Sequence, residues 1–379
     1  MKAEYTIGGI VSALVVAGFA FLYLSPSAVT VARQNAPNMG TQEEQDTSIR
    51  DTALGTTQKI KAVPGIPYTE ITNPSGFVNT NGITIKELVG KKVILVDFLT
   101  YSCINCQRTF PYINAWYEKY KDQGLEVIGI HTPEFAFEKD IGNVREAMKR
   151  FGITHPIVLD NNYATWNAYG NQYWPRKYII DIHGNVVYDH IGEGGYEETE
   201  MKIRELLAER SEVLGMSELN TSGALAVSTL PEGVNTAKSP ETYFGSSRNE
   251  HLANGTPNHS GEQTLSLPQT SARNLLYLGG TWNIVPEYAE PVSDASVLYR
   301  YNAKEVYIVA AADASSAVEI LQDGKPIGTS GGEDVNDSGV VFVKESRLYK
   351  LIRNSEPGEH TLQLKVKSKG LRLYAFTFG

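Results

Sequence analysis

Apolar positions change rhythm several times along the chain, and each change predicts a different element. From Tyr5 to Ala32 no residue is charged, and Thr6 to Leu24 is almost continuously apolar. About 19 such residues in a helix span about 28 Å, close to the thickness of a bilayer core. This predicts an N-terminal membrane anchor or signal over residues 1–24. A cleaved signal fits less well than an uncleaved anchor. Its basic start would be Lys2 alone, offset by Glu4, and Pro26 disfavours cleavage nearby, which leaves Thr30 to Ala32 as the candidate site. Residues 25–65 contain no aromatic and are rich in Thr, Gln, Asn, Asp and Glu. They read as a flexible linker with an average reach on the order of 35 Å.

Residues 66–210 alternate strand and helix patterns. Val93 to Phe98 is apolar and β-branched apart from Asp97, the pattern of a strand buried on both faces. Thr109 to Tyr120 follows with helical spacing, Phe110, Ile113, Trp116 and Tyr120 lying on one side. Strands are predicted at Leu125–Thr132 and Pro156–Asp160, and helices near Glu138–Phe151 and Glu197–Arg210. Tyr178–Asp181 and Val186–His190 flank a His183-Gly184-Asn185 turn and predict a hairpin. With the short strand Pro156–Asp160 set aside, the order β-α-β-α-β-β-α resembles that of an α/β thioredoxin-like fold. Residues 211–240 turn polar and small, with no aromatic between Tyr196 and Tyr243, and read as a second linker.

Beyond residue 240 the helical period vanishes. Strands are predicted at Ser296–Tyr301, Glu305–Ala312, Ala317–Leu321, Gly339–Val343, Tyr349–Arg353, His360–Val366 and Leu371–Phe378. Turn signals such as Asp323-Gly324, Ser330-Gly331-Gly332 and Pro357-Gly358 separate them. Short, evenly spaced strands predict an all-β sandwich, jelly-roll-like, over residues 241–379.

The net charge of −9 and the absence of a basic run argue against nucleic-acid binding. The chemistry concentrates in its only two cysteines, Cys103 and Cys106, separated by Ile104 and Asn105. They lie where a strand turns into a helix, so the first should sit at a helix N-terminus among unpaired backbone N–H groups. That setting favours a thiolate and makes Cys103 the expected nucleophile, with Cys106 one turn further in as the resolving thiol. A structural zinc site would want further ligands, and there is no second Cys pair and no His-x(3–5)-His spacing, so no metal is expected. A peroxidatic reading finds Thr100 at the right distance before Cys103, but Val96 stands where a proline is required.

The segment resembles a thioredoxin fold of the TlpA/redoxin kind. Asp97 lies six residues before Cys103, Pro111 eight after it, and Trp174-Pro175 precedes an apolar strand, as the cis-proline loop of thioredoxins does. Tyr101-Ser-Cys-Ile-Asn-Cys106, His131-Thr-Pro-Glu-Phe135 and Tyr173-Trp-Pro175 together resemble the soluble C-terminal part of DipZ-type cytochrome c biogenesis proteins. The resemblance covers about residues 66–379. It departs in carrying one hydrophobic span where the family has a multi-helix membrane domain. The resemblance implies that Asp97 is buried and takes the proton from Cys106. It implies that Pro175 is cis and Trp174 presents its backbone to an extended substrate. Glu134 is a candidate second proton relay, and His131 a packed strand-end residue. The resemblance also makes the β domain similar to a carbohydrate-binding module, with Trp282, Tyr277, Tyr288 and Tyr299 as candidate stacking rings for a glycan. Core packing is the competing explanation for those rings.

The expectation is a membrane-anchored, extracytoplasmic thiol–disulfide oxidoreductase, periplasmic or cell-surface, acting as a reductant on protein disulfides. It needs no cofactor beyond the Cys103/Cys106 redox disulfide, and a separate membrane protein must supply or accept its electrons. An exported binding protein acting through the β domain and a thiol peroxidase are the alternatives.

Overall fold

A computed structural model describes residues 65–216, 223–227, 230, 237–367 and 369–379. The predicted anchor and nearly all of the first linker lie outside the described residues. Among those described, no helix is long and apolar enough to cross a membrane.

The first half comprises β1 (Ile66–Pro67), β2 (Gly76–Val78), α1 (Ile85–Leu88), β3 (Val93–Leu99), α2 (Ile104–Tyr120), β4 (Leu125–His131), α3 (Ile141–Arg150), β5 (Ile157–Leu159), α4 (Ala164–Ala168), β6 (Arg176–Ile180), β7 (Asn185–Ile191) and α5 (Tyr196–Val213). Its sheet runs β1-β7-β6-β3-β4-β5-β2. The central β3 pairs in parallel with β4 and antiparallel with β6. This is a thioredoxin-like sheet with extra strands at both edges.

Strand β3 is buried along its whole length, and its side chains alternate between two cores. Val93 and Leu95 join Tyr112, Ile113, Trp116 and Tyr120 of α2 and Ile203, Leu206 and Leu207 of α5. Ile94, Val96 and Phe98 face the opposite core, with Ile85, Trp166 and Tyr178. The same alternation puts Asp97 on the α2 side.

Helix α3 starts at Ile141, later than the predicted Glu138, because the Asp140 side chain caps it by accepting from the Asn143 N–H at 2.9 Å. Helix α5 runs on to Val213, past the predicted boundary at residue 210. The described part of the second linker is also fastened down. The Ala226 and Val227 N–H groups donate to the Glu200 carboxylate at 2.6 and 3.1 Å, and Val227 is buried in the α2–α5 core.

The second half comprises β8 (Thr242–Tyr243), β9 (Gly261–Leu265), β10 (Leu276–Ile284), β11 (Ala289–Pro291), β12 (Ala295–Ala312), β13 (Ser316–Gln322), β14 (Lys325–Pro326), β15 (Val340–Val343), β16 (Arg347–Val366) and β17 (Leu371–Phe378). It is all-β, as expected, but its strands form one hydrogen-bonded sheet rather than two stacked ones. The reason is the length of β12. Its first part pairs with β10 and its last part with β17, and β11 links β10 to β17, so the sheet closes on itself. The predicted break at Lys304 is absorbed as a bulge within β12. The predicted Pro357-Gly358 turn is likewise internal to β16, where residues 354–357 stand opposite Lys304 alone.

The candidate glycan-stacking rings are mostly core. Trp282 and Tyr299 are 0% exposed, Tyr277 is buried, and the half-buried Tyr288 packs against Tyr374. The faces of the three buried rings are spent on packing, and these three offer no open platform for a sugar.

The two halves share an apolar contact. Ile104 and Phe135 pack with Tyr307, Val309, Leu348 and Tyr374 of the β domain. Around it, Tyr101 donates to the Ser346 carbonyl at 3.1 Å, the Ala136 N–H donates to Glu287 at 3.0 Å, and Arg150 pairs with Glu345.

Candidate active site

Cys103 is the N-cap of α2, in extended backbone geometry, and its sulfur accepts the Cys106 N–H at 3.4 Å. This is the helix-terminus arrangement in which an orphan backbone donor faces a developing thiolate. Cys103 is half-buried, whereas Cys106 is 0% exposed, and both are free thiols. Burial pushes the Cys106 thiol well above its usual pKa, and proximity to Cys103 adds to the rise.

The Trp174–Pro175 peptide is cis. The Trp174 carbonyl lies 4.0 Å from the Cys103 sulfur, and its indole N–H donates to the Thr132 carbonyl at 3.1 Å. The Pro175 carbonyl accepts from the Gly192 N–H at 2.8 Å, which fixes the other side of the loop.

Asp97 is 0% exposed, and neither of its carboxyl oxygens has a hydrogen-bond partner. Burial raises its pKa to about 7, opposed by the charge of Lys177. Lys177 is its cross-strand partner on β6 and is also 0% exposed. The Lys177 ammonium donates to the Gly192 carbonyl at 3.2 Å. Burial lowers the Lys177 pKa, while Asp97, Cys106 and Glu193 oppose the fall. Sequence reasoning gave Lys177, the residue before the predicted Tyr178–Asp181 strand, no role. Its signal was weak, because Lys177 follows Arg176 and the pair reads as a charged strand end, unlike Asp97 with apolar residues on both sides.

Glu134 lines the same cleft as Cys103, but its partners come from the β domain. The Tyr243 hydroxyl and the Arg248 guanidinium donate to one of its oxygens at 2.9 and 2.7 Å. Burial raises its pKa, and Arg248 opposes the rise. Tyr243 also reaches Glu241 at 2.7 Å. No local pattern could have announced these partners, because more than a hundred residues separate them from Glu134 in the chain.

Glu138 is a further residue that sequence reasoning missed. It is fully buried and accepts from the Ser102 N–H and hydroxyl at 3.2 and 2.6 Å and from the Glu134 and Phe135 N–H groups at 2.6 and 3.0 Å. It thereby ties the residue before Cys103 to the Glu134 loop. Burial pushes its pKa up, and its hydrogen bonds oppose that. His131 is 0% exposed, stacks on Tyr101 and has no partner for either ring nitrogen. Burial lowers its pKa to about 3. Among the described residues, no cluster of His, Cys, Asp and Glu could hold a metal ion.

Residues 65–207 match the Redoxin family, and residues 239–379 match the family described as thioredoxin like C-terminal domain. The chain is 37% identical over 311 residues to Protein DipZ of Mycobacterium tuberculosis, a match covering 80% of this chain and 42% of the relative. It thus spans less than half the length of that protein. It is 32% identical over 143 residues to the thiol-disulfide oxidoreductase YkuV of Bacillus subtilis, covering 38% of this chain and 95% of YkuV. A solved thioredoxin-like protein in its oxidized form is 30% identical, with a TM-score of 0.36, over 38% of this chain and 97% of that one. The chain belongs to the thioredoxin-like redoxin family of thiol–disulfide oxidoreductases, close to DipZ.

Proposed function

We propose that the chain is a membrane-anchored, extracytoplasmic reductant of protein disulfides that works through Cys103 and Cys106. The observation that carries this is the pairing of the cap and the loop. Cys103 receives the Cys106 N–H at the mouth of α2 and lies beside the cis Trp174–Pro175 peptide, while Cys106 is buried behind it.

In the first step the Cys103 thiolate attacks one sulfur of a substrate disulfide. A Cys103–substrate disulfide forms, the substrate S–S bond breaks, and one substrate thiolate leaves. Cys106 then loses its proton to Asp97, whose pKa of about 7 suits a base near neutral pH. The Cys106 thiolate attacks the Cys103 sulfur and expels the second substrate thiol. Two electrons have moved to the substrate, Cys103 and Cys106 are joined, and the two departing substrate thiolates take one proton from Asp97 and one from solvent. Lys177 holds the charge that Asp97 carries before the transfer. Glu134, already engaged by Tyr243 and Arg248, is a relay to bulk water for the departing thiol. The Trp174–Pro175 loop holds the substrate backbone.

The apolar run Thr6 to Leu24 supports an anchor, and disulfide exchange is of use outside the reducing cytosol. A separate membrane protein then returns the electrons. The test is reduction of a fluorescent disulfide peptide by the full chain in detergent micelles with a chemical thiol as electron source. Turnover that vanishes in Cys103→Ser supports the reading, and turnover that survives it refutes it.

A further inference from the structure

Cys103 does not stand on an open face. It sits in a cleft of about 390 Å³ whose second wall is the β domain, which contributes Ser239, Glu241, Tyr243, Arg248 and Thr377. Ile104, next to the reactive cysteine, is only 7% exposed because the β domain covers it. A volume of this order is that of a ligand pocket rather than a flat protein interface, so it admits a slim chain segment and not a folded surface.

The charges in the cleft do not balance. Arg248 supplies one cation against the carboxylates of Glu134 and Glu241. Its guanidinium is bound to Glu134 at 2.7 Å. The Tyr243 hydroxyl lies 2.9 Å from Glu134 and 2.7 Å from Glu241. It has a single proton and can donate to only one of them at a time. Among the described residues Glu241, exposed on the rim, has no ion pair of its own, since the Arg248 charge that reaches it is already bound to Glu134.

We propose that the β domain is the specificity wall of the redox site, and that Glu241 selects flexible peptide disulfides carrying a basic residue beside the cysteine. This rests on the proposed redox role of Cys103. An incoming lysine or arginine would give Glu241 a counter-ion of its own in place of a share of Arg248, while an acidic neighbour would add a third carboxylate against that one cation.

The test compares kcat/KM of the full chain for three unstructured disulfide peptides that differ only in the neighbour of the cysteine: Lys, Ala or Glu. Glu241 is exposed as a residue, but local burial of its carboxyl, with Glu134 close by, pushes its pKa up to about 7. The comparison is therefore made at about pH 8, where it is ionised. The Lys peptide should exceed the Glu peptide roughly fivefold, the scale of one partly exposed charge contact. Glu241→Gln should bring the ratio close to one, and Glu241→Lys should invert it. A wild-type ratio near one, or a ratio unmoved in Glu241→Lys, overturns the proposal. A parallel equilibration in thiol buffers separates the two readings. A reversible Cys103/Cys106 couple with no charge preference removes only the specificity wall, whereas the absence of any couple removes both.

Discussion

Asp97 and Lys177 face one another across the β3–β6 ladder, both fully buried, beneath the cysteine pair. Neither Asp97 oxygen is hydrogen-bonded, so the lysine charge is what favours its ionised form. Replacing Lys177 with Met should raise the Asp97 pKa above about 7 and move the pH midpoint of the Cys106 resolving step upward. Lys177→Arg keeps the charge and should keep the midpoint closer to wild type. Stopped-flow decay of a preformed Cys103 mixed disulfide across pH reads this directly. An unshifted midpoint in Lys177→Met would separate Asp97 from the proton transfer.

The same carboxyl links stability to pH. Its pKa is about 7 in the folded chain against 3.8 ordinarily, so between those values the native state binds more protons than the unfolded one. Stability from this group is greatest below pH 3.8, falls as pH rises, and is fully lost above about 7. The span corresponds to about 4 kcal/mol. Asp97→Asn should therefore gain on wild type progressively from about pH 4 to pH 8 in chemical denaturation. A constant difference across that range would contradict the assignment.

The two cysteines should fail differently. Cys106→Ser leaves the attacking thiol in place but removes its resolver, so a covalent Cys103–substrate adduct should accumulate and survive non-reducing electrophoresis. Cys103→Ser should form none. Adducts in both variants would mean that the buried Cys106 is reached directly.

Glu138 receives its donors from Ser102, Glu134 and Phe135 in a fully buried position. Glu138→Gln keeps the shape but sets an amide donor against backbone and hydroxyl donors. The cost should be about 2 kcal/mol of unfolding free energy, with faster alkylation of Cys103 as its support loosens. An unchanged denaturation midpoint would show that the loop is held some other way.

Much of this was legible because the local patterns agree with the fold. The apolar run around Asp97 and the strand-to-helix position of Cys103 each predicted its own setting, whereas the cis Trp174–Pro175 peptide followed only from the family resemblance, since an X-Pro bond by itself favours trans. What escaped depends on contacts distant in sequence. Tyr243 and Arg248 reach Glu134 only because the β domain docks on Ile104 and Phe135. The long β12 was read as two strands because the polar residues around Lys304 look like a turn, when they form a bulge. The described part of the second linker looked free because its anchors, Glu200 and Arg204, lie on a helix whose outer face reads as ordinary charged surface.

The most direct measurement is the reduction potential of Cys103/Cys106 in the full chain, by equilibration in defined thiol buffers and counting alkylated thiols by mass. The expected result is a reversible two-electron couple in the reductant range, about −270 mV. A value near the oxidant extreme of about −120 mV would reverse the direction of electron flow, and the absence of a reversible couple would contradict the redox role altogether.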